Sequence, residues 1–279
     1  MADLVGKAYK EGYAVPAFCA WNAEAINIIL RVAARLEAPV ILMSSTPDFT
    51  MLPPKTMAST ARAILGYHKA SAALHLDHGD SLDLVKQCVD ANYTSVMLDF
   101  STLPFDENVA GLKETVRLAR PKGITVEGEI GHVGKANENA GEGSAMSAFT
   151  DVAEAVDYVA QTGVDLLAVS VGNKHGFYTG EPHMEFDLLT ELYHKIKVPL
   201  VMHGGTGIPE KDIKVAVKLG ISKVNIATDL VQTYRKALMG IWTESPQTWI
   251  PTAMGMAVQA IEPVVERWFH IVGAVGKAR

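Results

Sequence analysis

Cysteine is nearly absent from this chain, with only Cys19 and Cys88 among 279 residues. That count excludes a disulfide-stapled secreted scaffold and points to a reducing, cytoplasmic setting. Charge is scarce as well: 20% of residues are charged and 48% apolar, which excludes a disordered chain. The net charge of −6 comes from interspersed acids and bases, so no basic footprint for nucleic acid is present. No apolar run approaches the ~20 residues of a membrane span. Lys7, Lys10 and Glu11 interrupt the start of the chain, so no signal peptide is expected. Internal repeats and low-complexity tracts are also missing.

What is present is an alternation of short apolar runs and longer amphipathic stretches. The runs Ala14 to Ala20, Pro39 to Ser45, Ala72 to His78, Ser95 to Phe100, Thr125 to Gly131, Leu166 to Gly172, Val198 to Gly204 and Lys223 to Thr228 read as strands. They are mostly continuous in apolar residues, as strands buried on both faces of a parallel sheet should be. Eight such strands predict a TIM (β/α)8 barrel, and 279 residues is close to the ~250 such a barrel needs. A doubly wound open sheet is disfavoured, because polar residues close nearly every strand rather than those at one switch point. The reading is one barrel domain over 1–279, with 242–279 as a C-terminal helical extension.

Helix signals fall between the strands. Asn22 precedes the stripe Ile26, Ile29, Leu30 and Ala33; Asp80-Ser81 precedes Leu84, Val85, Cys88 and Val89, which makes Cys88 a buried structural thiol. Asp151 and Glu154 resemble a capping box before Val152, Val156 and Val159, with Gly163 as the stop. Pro209 and Gly220 bracket another helix. After Pro246 and Pro251, a helical run is expected from Met254 to His270. The stretch from His132 to Phe149 has no apolar periodicity, and a loop that long is usually functional, often a lid.

The polar residues at the strand ends carry the chemistry. His78, His175 and His203 each close a different strand beside a glycine or turn, in LHLDHGD, VGNKHGFY and VMHGGTG. Three neutral imidazoles with an open fourth position make a catalytic zinc site. His68, His183 and His194 read as ordinary helix or loop residues, and His75 as a residue inside the third strand. Glu129 and Asp99 end neighbouring strands as ligands, hydrogen-bond partners of an imidazole, or loop acids. Glu127 points the same way as Glu129 but deeper. Asp77 cannot share a face with His78 on a regular strand, so only a kink at the strand end aims it into the pocket as an acid–base group.

HGGTG (His203 to Gly207) and NIATD (Asn225 to Asp229) follow the last two strands, where barrels of this type often bind phosphate. Glycines let backbone N–H groups approach an anion, and Thr206 and Thr228 add hydroxyls. A metal beside an oxyanion site suits cleavage of a carbon–carbon bond in a phosphorylated carbonyl compound, the cation polarising the carbonyl and stabilising an enediolate.

These motifs, together with PAF-x-x-x-N (Pro16 to Asn22), SVMLDFSTLPFDEN (Ser95 to Asn108), VEGEIG and KVNIATDL, resemble the class II, zinc-dependent ketose-phosphate aldolases, end to end. The resemblance implies that His78, His175 and His203 bind Zn²⁺, with Glu129 as an alternative ligand. It implies Asp77 as the acid–base residue at the scissile bond and Asn225 as the group holding the enediolate of dihydroxyacetone phosphate. Ser45, Gly176, Gly204, Thr206, Ala227 and Thr228 would bind the phosphate. Backbone oxygens of Lys174, Gly176, Gly204 and Thr206 would surround Na⁺ or K⁺. The resemblance further implies a homodimer or homotetramer, with no nucleic-acid or membrane partner.

Departures from the family pattern fall on the substrate side. Cys19 stands where many relatives have asparagine. The loop that carries a proton-abstracting glutamate in relatives reads Gly134-Lys135-Ala136-Asn137-Glu138, which makes Glu138 the preferred candidate and Glu142 the next acid. Ala227 replaces an aspartate of some bisphosphate aldolases. Where the tail usually supplies an arginine for the distal phosphate, this chain has His270, with Arg267 one turn earlier. A ketose 1-phosphate is therefore expected as readily as a 1,6-bisphosphate, and the aldehyde need not be phosphorylated. Two rivals are a Schiff-base aldolase using Lys174 and a non-catalytic partner subunit of an aldolase complex.

Overall fold

A computed structural model describes residues 1–134, 149–176, 178, 180 and 182–278. Eight parallel strands close into a barrel in sequence order, with β8 hydrogen-bonded back to β1. They are β1 (Val15–Cys19), β2 (Val40–Ser44), β3 (Ala72–Gly79), β4 (Ser95–Leu98), β5 (Thr125–Ile130), β6 (Leu166–Val169), β7 (Leu200–Met202) and β8 (Ile221–Ile226). The helices are α1 (Ala2–Glu11), α2 (Ala23–Arg35), α3 (Pro54–His68), α4 (Leu82–Asp90), α5 (Phe105–Ala119), α6 (Val152–Thr162), α7 (Phe186–Lys195), α8 (Glu210–Lys218), α9 (Thr228–Glu244), α10 (Ile250–Gln259) and α11 (Glu262–Ile271). This is the predicted TIM barrel with additional C-terminal helices. Its strands lie within the predicted runs, except that β3 and β8 begin or end one or two residues outside them.

Local chemistry accounts for the helix starts. Asn22 Oδ1 accepts from the Ala25 amide at 2.9 Å, Ser81 Oγ from Leu84 at 3.3 Å, and Asp151 Oδ1 from Glu154 at 2.9 Å. The α2 stripe Ile26, Ile29, Leu30 and Ala33 is buried against the barrel, as are Leu84, Val85, Cys88 and Val89 of α4. Full burial of each branched side chain contributes about 1.5–3 kcal/mol.

Two expectations need correction. On α6 the buried face is Ala155, Tyr158 and Thr162, while Val156 is exposed. Tyr158 sets the buried face: its hydroxyl donates to Asn108 Oδ1 of α5 at 3.0 Å, and its ring packs against Gly128 on the outer side of β5. The run from Met254 to His270 is two helices rather than one. Pro251 sits in the first turn of α10 and Pro263 in the first turn of α11, where a missing N–H costs nothing, so the second proline starts a new helix.

The tail also seals the chain onto itself. Ala14 N donates to Val272 O, Gly276 N to Leu36 O and Ala278 N to Glu37 O. Among the described residues, no helix is long and apolar enough to cross a membrane.

Candidate active site and metal centre

At the C-terminal ends of the strands, the imidazoles of His78 (β3), His175 (after β6) and His203 (after β7) face one another. Ring centroids are separated by 4.6 Å for His78–His203, 5.0 Å for His78–His175 and 5.8 Å for His175–His203. One ligating atom from each lies within 4.8 Å of the others, and His78, Asp99 and Glu129 satisfy the same condition.

Two backbone features bring these residues together. His78 adopts a left-handed conformation (φ 46°), and the β3–β4 register shifts between Leu76 and Gly79. A bulge of this kind re-aims side chains at a strand end, and it puts Asp77 and His78 on the same pocket wall. Gly204 (φ 65°) is the second: a Cβ there would lie 2.2 Å from Lys174 O and 2.9 Å from His175 N, so only glycine lets the loop after β7 abut the His175 segment. Buried Asn173 reinforces that junction by donating to His203 O at 3.0 Å and to Val169 O at 3.2 Å.

Two of the three imidazoles have their orientation set from behind. His78 Nδ1 meets Asp99 Oδ2 at 2.6 Å, which leaves Nε2 facing the centre. His203 Nε2 meets Glu127 Oε1 at 2.9 Å, which leaves Nδ1 facing the centre, 3.1 Å from Glu129 Oε2 in ion-pair contact but without hydrogen-bond alignment. His78 Nε2, His203 Nδ1 and Glu129 Oε2 are buried polar atoms with no hydrogen-bond partner. Buried polar atoms are normally satisfied, so orphans converging on one point fit a cation held by nitrogen and oxygen.

Electrostatics agree with that fit. Burial disfavours the His203 cation, but the hydrogen bond to Glu127 and the charges of Glu127 and Glu129 override it and push the imidazole up to about 10. His78 is also raised, because Asp77 and Asp99 outweigh its burial. Burial and the neighbouring imidazoles lower His175 to about 4, keeping it a neutral donor. Burial opposes the charged form of Asp77 and Glu129, yet the imidazoles hold both carboxyls below their usual range.

Above the histidines lies a cavity of about 450 Å³ lined by Ser45, Asp77, His78, Asp99, His132, Val133 and His175. Asn225 Nδ2 donates to Asp77 Oδ1 at 2.9 Å, while Asn225 Oδ1 is buried and unpartnered. Two residues expected to act on substrate are therefore in direct contact.

The expected phosphate residues occupy the adjoining loops. Gly176 (φ 93°) and Gly204 take left-handed backbone, Thr206 is buried, and Ala227-Thr228 opens the 17-residue helix α9. The N-terminus of a long helix after β8 suits an anion. Ser45 reaches the cavity, with its hydroxyl and amide both donating to Asp48 Oδ2 at 3.1 and 2.8 Å.

Glu138 and Glu142 lie outside the described residues, as does most of the 132–149 stretch. At the tail, Arg267 is bound to Asp229 at 2.6 Å and lines a separate cavity with Thr206 and Trp268, while His270 is exposed. Lys174 is half-buried and does not line the cavity of His78 and Asp77.

Sequence reading passed over Lys223, which is fully buried and contacts Glu127 at 2.9 and 3.0 Å. It stood at the start of a candidate strand. Its alternation with Asn225, matching that of Glu127 with Glu129, is the signal that would have found it. His75 is also fully buried, with Nδ1 on Ser95 Oγ at 2.8 Å and Nε2 3.8–3.9 Å from Glu127 and Asp77. Burial and Lys223 lower it to about 3, which makes it a neutral residue of the barrel interior.

Fold and site together define a (β/α)8-barrel enzyme with its polar centre at the strand C-termini. The family described as fructose-bisphosphate aldolase class-II matches residues 1–277, and the chain belongs to that family. It is an aldolase, a carbon–carbon lyase. The YdjI aldolase from Escherichia coli K12 is similar over 100% of this chain and 98% of its own, at 30% identity and a TM-score of 0.87. A fructose-bisphosphate aldolase from Campylobacter jejuni (21% identity, 99% and 94% covered, TM-score 0.84) and a protein from Coccidioides immitis (24%, 99% and 96%, TM-score 0.90) share the fold.

Proposed function

We propose that this aldolase is metal-dependent and cleaves a ketose 1-phosphate or ketose 1,6-bisphosphate, of the fructose or tagatose type, to dihydroxyacetone phosphate and an aldehyde. The observation that carries the reading is the convergence of the unpartnered nitrogens of His78 and His203 beside Asp77. His78, His175 and His203 would hold Zn²⁺, with Glu129 at hand as an alternative ligand. When bound, Zn²⁺ supplies a Lewis acid for the ketose carbonyl oxygen.

The chain's own groups do the rest. Asp77, kept ionised by the imidazoles, takes the proton from the hydroxyl next to the scissile bond during cleavage and returns it during condensation. Asn225 fixes that carboxylate with its amide N–H and offers its free Oδ1 to a hydroxyl of the triose half. Ser45, Gly176, Gly204, Thr206, Ala227 and Thr228 receive the phosphate, where helix α9 favours negative charge. Backbone oxygens of Lys174, Gly176, Gly204 and Thr206 would surround a Na⁺ or K⁺. Glu138 is the proposed base for the triose proton. The reading treats residues 1–279 as one catalytic unit in the cytoplasm, working as a homodimer or homotetramer.

The cavity lining contains no lysine or arginine among the described residues. That favours an aldehyde without a phosphate. An aldol screen tests the whole reading: dihydroxyacetone phosphate is offered phosphorylated and unphosphorylated aldehydes, with added Zn²⁺ or with chelator. Zn²⁺-dependent condensation is expected, without trapping by borohydride. Chelator-resistant turnover with borohydride trapping would move the chemistry to a lysine such as Lys174. A strong preference for glyceraldehyde 3-phosphate would overturn the view of the aldehyde.

A further inference from the structure

Beneath the three histidines, the barrel interior holds an ion pair where barrels usually pack branched apolar side chains. Lys223 from β8 and Glu127 from β5 are both 0% exposed and meet across the lumen, since β5 and β8 are not neighbours in the sheet. Lys223 Nζ contacts Glu127 Oε1 at 3.0 Å and Oε2 at 2.9 Å. The same Oε1 lies 2.9 Å from His203 Nε2. A buried pair of this kind is seldom more stabilising than apolar packing of the same volume, so the geometry calls for another role.

We propose that Lys223 and Glu127 form a positioning device that decides which nitrogen of His203 faces the metal. This rests on the metal site proposed above. Glu127 accepts the Nε2–H, which leaves Nδ1 bare and aimed at the centre. An acceptor behind a ligating imidazole fixes its tautomer and orientation. Lys223 has a different part: it compensates the Glu127 carboxylate in a floor where the neighbouring His75 is neutral. Its ammonium hydrogen-bonds Oε1 and lies in ion-pair contact with Oε2, which holds Glu127 in the floor as an acceptor for His203 rather than a fourth ligand. Glu129, one turn of the pleat higher, has no lysine on it: its Oε1 accepts from the Val133 amide at 3.1 Å and its Oε2 faces His203 Nδ1 at 3.1 Å. The two glutamates of VEGEIG are thereby separated into a fixed support and an available ligand.

The test uses the full-length protein. Zn²⁺ affinity is measured by competition with a chromophoric chelator, and the Co²⁺-substituted protein supplies an absorption spectrum. Histidine long-range ¹H–¹⁵N NMR of the Zn²⁺-loaded wild type reads the tautomer directly. His203 is expected protonated at Nε2. Protonation at Nδ1 overturns the proposal, whether or not any variant folds. Glu127→Gln is expected to weaken Zn²⁺ binding about 10–100-fold. Because that variant strands a buried lysine, the neutral double variant Glu127→Gln/Lys223→Met is the main comparison. It should fold, lose Zn²⁺ affinity as the single variant does, and show an altered Co²⁺ spectrum. Wild-type affinity and spectrum in the double variant would reduce the pair to filler. A wild type that binds no Zn²⁺ sinks the metal reading itself, a result distinct from either.

Discussion

The floor and the rim of this active site are built on opposite plans. In the floor, Glu127, Lys223, His203 and His75 are fully buried, and every imidazole is oriented by a carboxylate or hydroxyl behind it. At the rim, Ser45 and Asp48 sit on the loop after β2, while Arg267 of α11 lies in a neighbouring cavity bound to Asp229 and His270 is exposed. Charge in the floor acts in a medium where each interaction is strong, while exposed pairs at the rim are worth about 0–1 kcal/mol. Under the proposed function, the floor would determine the bond that breaks and the rim the molecule that carries it.

The sharpest way to break this division is to remove a floor ligand. His203→Ala should abolish stoichiometric Zn²⁺ binding and lower kcat on the order of 10³-fold, as read by metal analysis and steady-state kinetics. Unchanged turnover would show that this chain does not carry the catalysis. Asp77→Asn comes next: a fall in kcat of about 10²–10⁴-fold with bound Zn²⁺ retained is expected. Loss of metal in that variant would recast Asp77 as part of the metal site. Asp99→Ala should weaken Zn²⁺ about 10–100-fold through the freed His78 ring.

The pH dependence follows from His203. Its raised value means that metal must displace a proton, so Zn²⁺ affinity should fall about tenfold per pH unit as pH is lowered from 8 to 6. In the metal-free protein the sign is opposite. The protonated imidazole between two carboxylates is stabilising below the unfolded value near 6.5, and that contribution is lost as pH rises through about 10. Thermal melts should show a Tm that declines on the alkaline side without metal and does so less with Zn²⁺. The smallest effect belongs to the rim: Arg267→Ala should change Tm and aldehyde KM no more than an exposed pair allows, about fivefold in KM at most. A larger rise would place Arg267 on the substrate.

The barrel, the order of its strands and the three histidines were legible in the sequence because apolar strand runs followed within a few residues by His-Gly have few other uses. Asp77 was legible only conditionally, since a regular strand turns it away and the left-handed residue at 78 turns it back. Lys223 was not legible, because its partner lies across the lumen and only a closed barrel brings β5 and β8 face to face. The split at Pro263 was missed for a local reason: the apolar pattern from 254 to 270 runs on through Ala260 and Ile261, and the new N-terminus is marked by a proline alone.

The left-handed turn at His78 has a further consequence. Because it mounts the proposed ligand and the proposed proton carrier on consecutive residues of a single bulge, the two share one backbone frame. Breathing of the barrel carries them together, and the spacing between proton transfer and carbonyl activation is preserved through any such motion. Selection or design that sought a different spacing, to accept a longer or differently configured substrate bond, would have to rebuild the backbone at 77–79 rather than exchange either side chain. The bulge works as a gauge block.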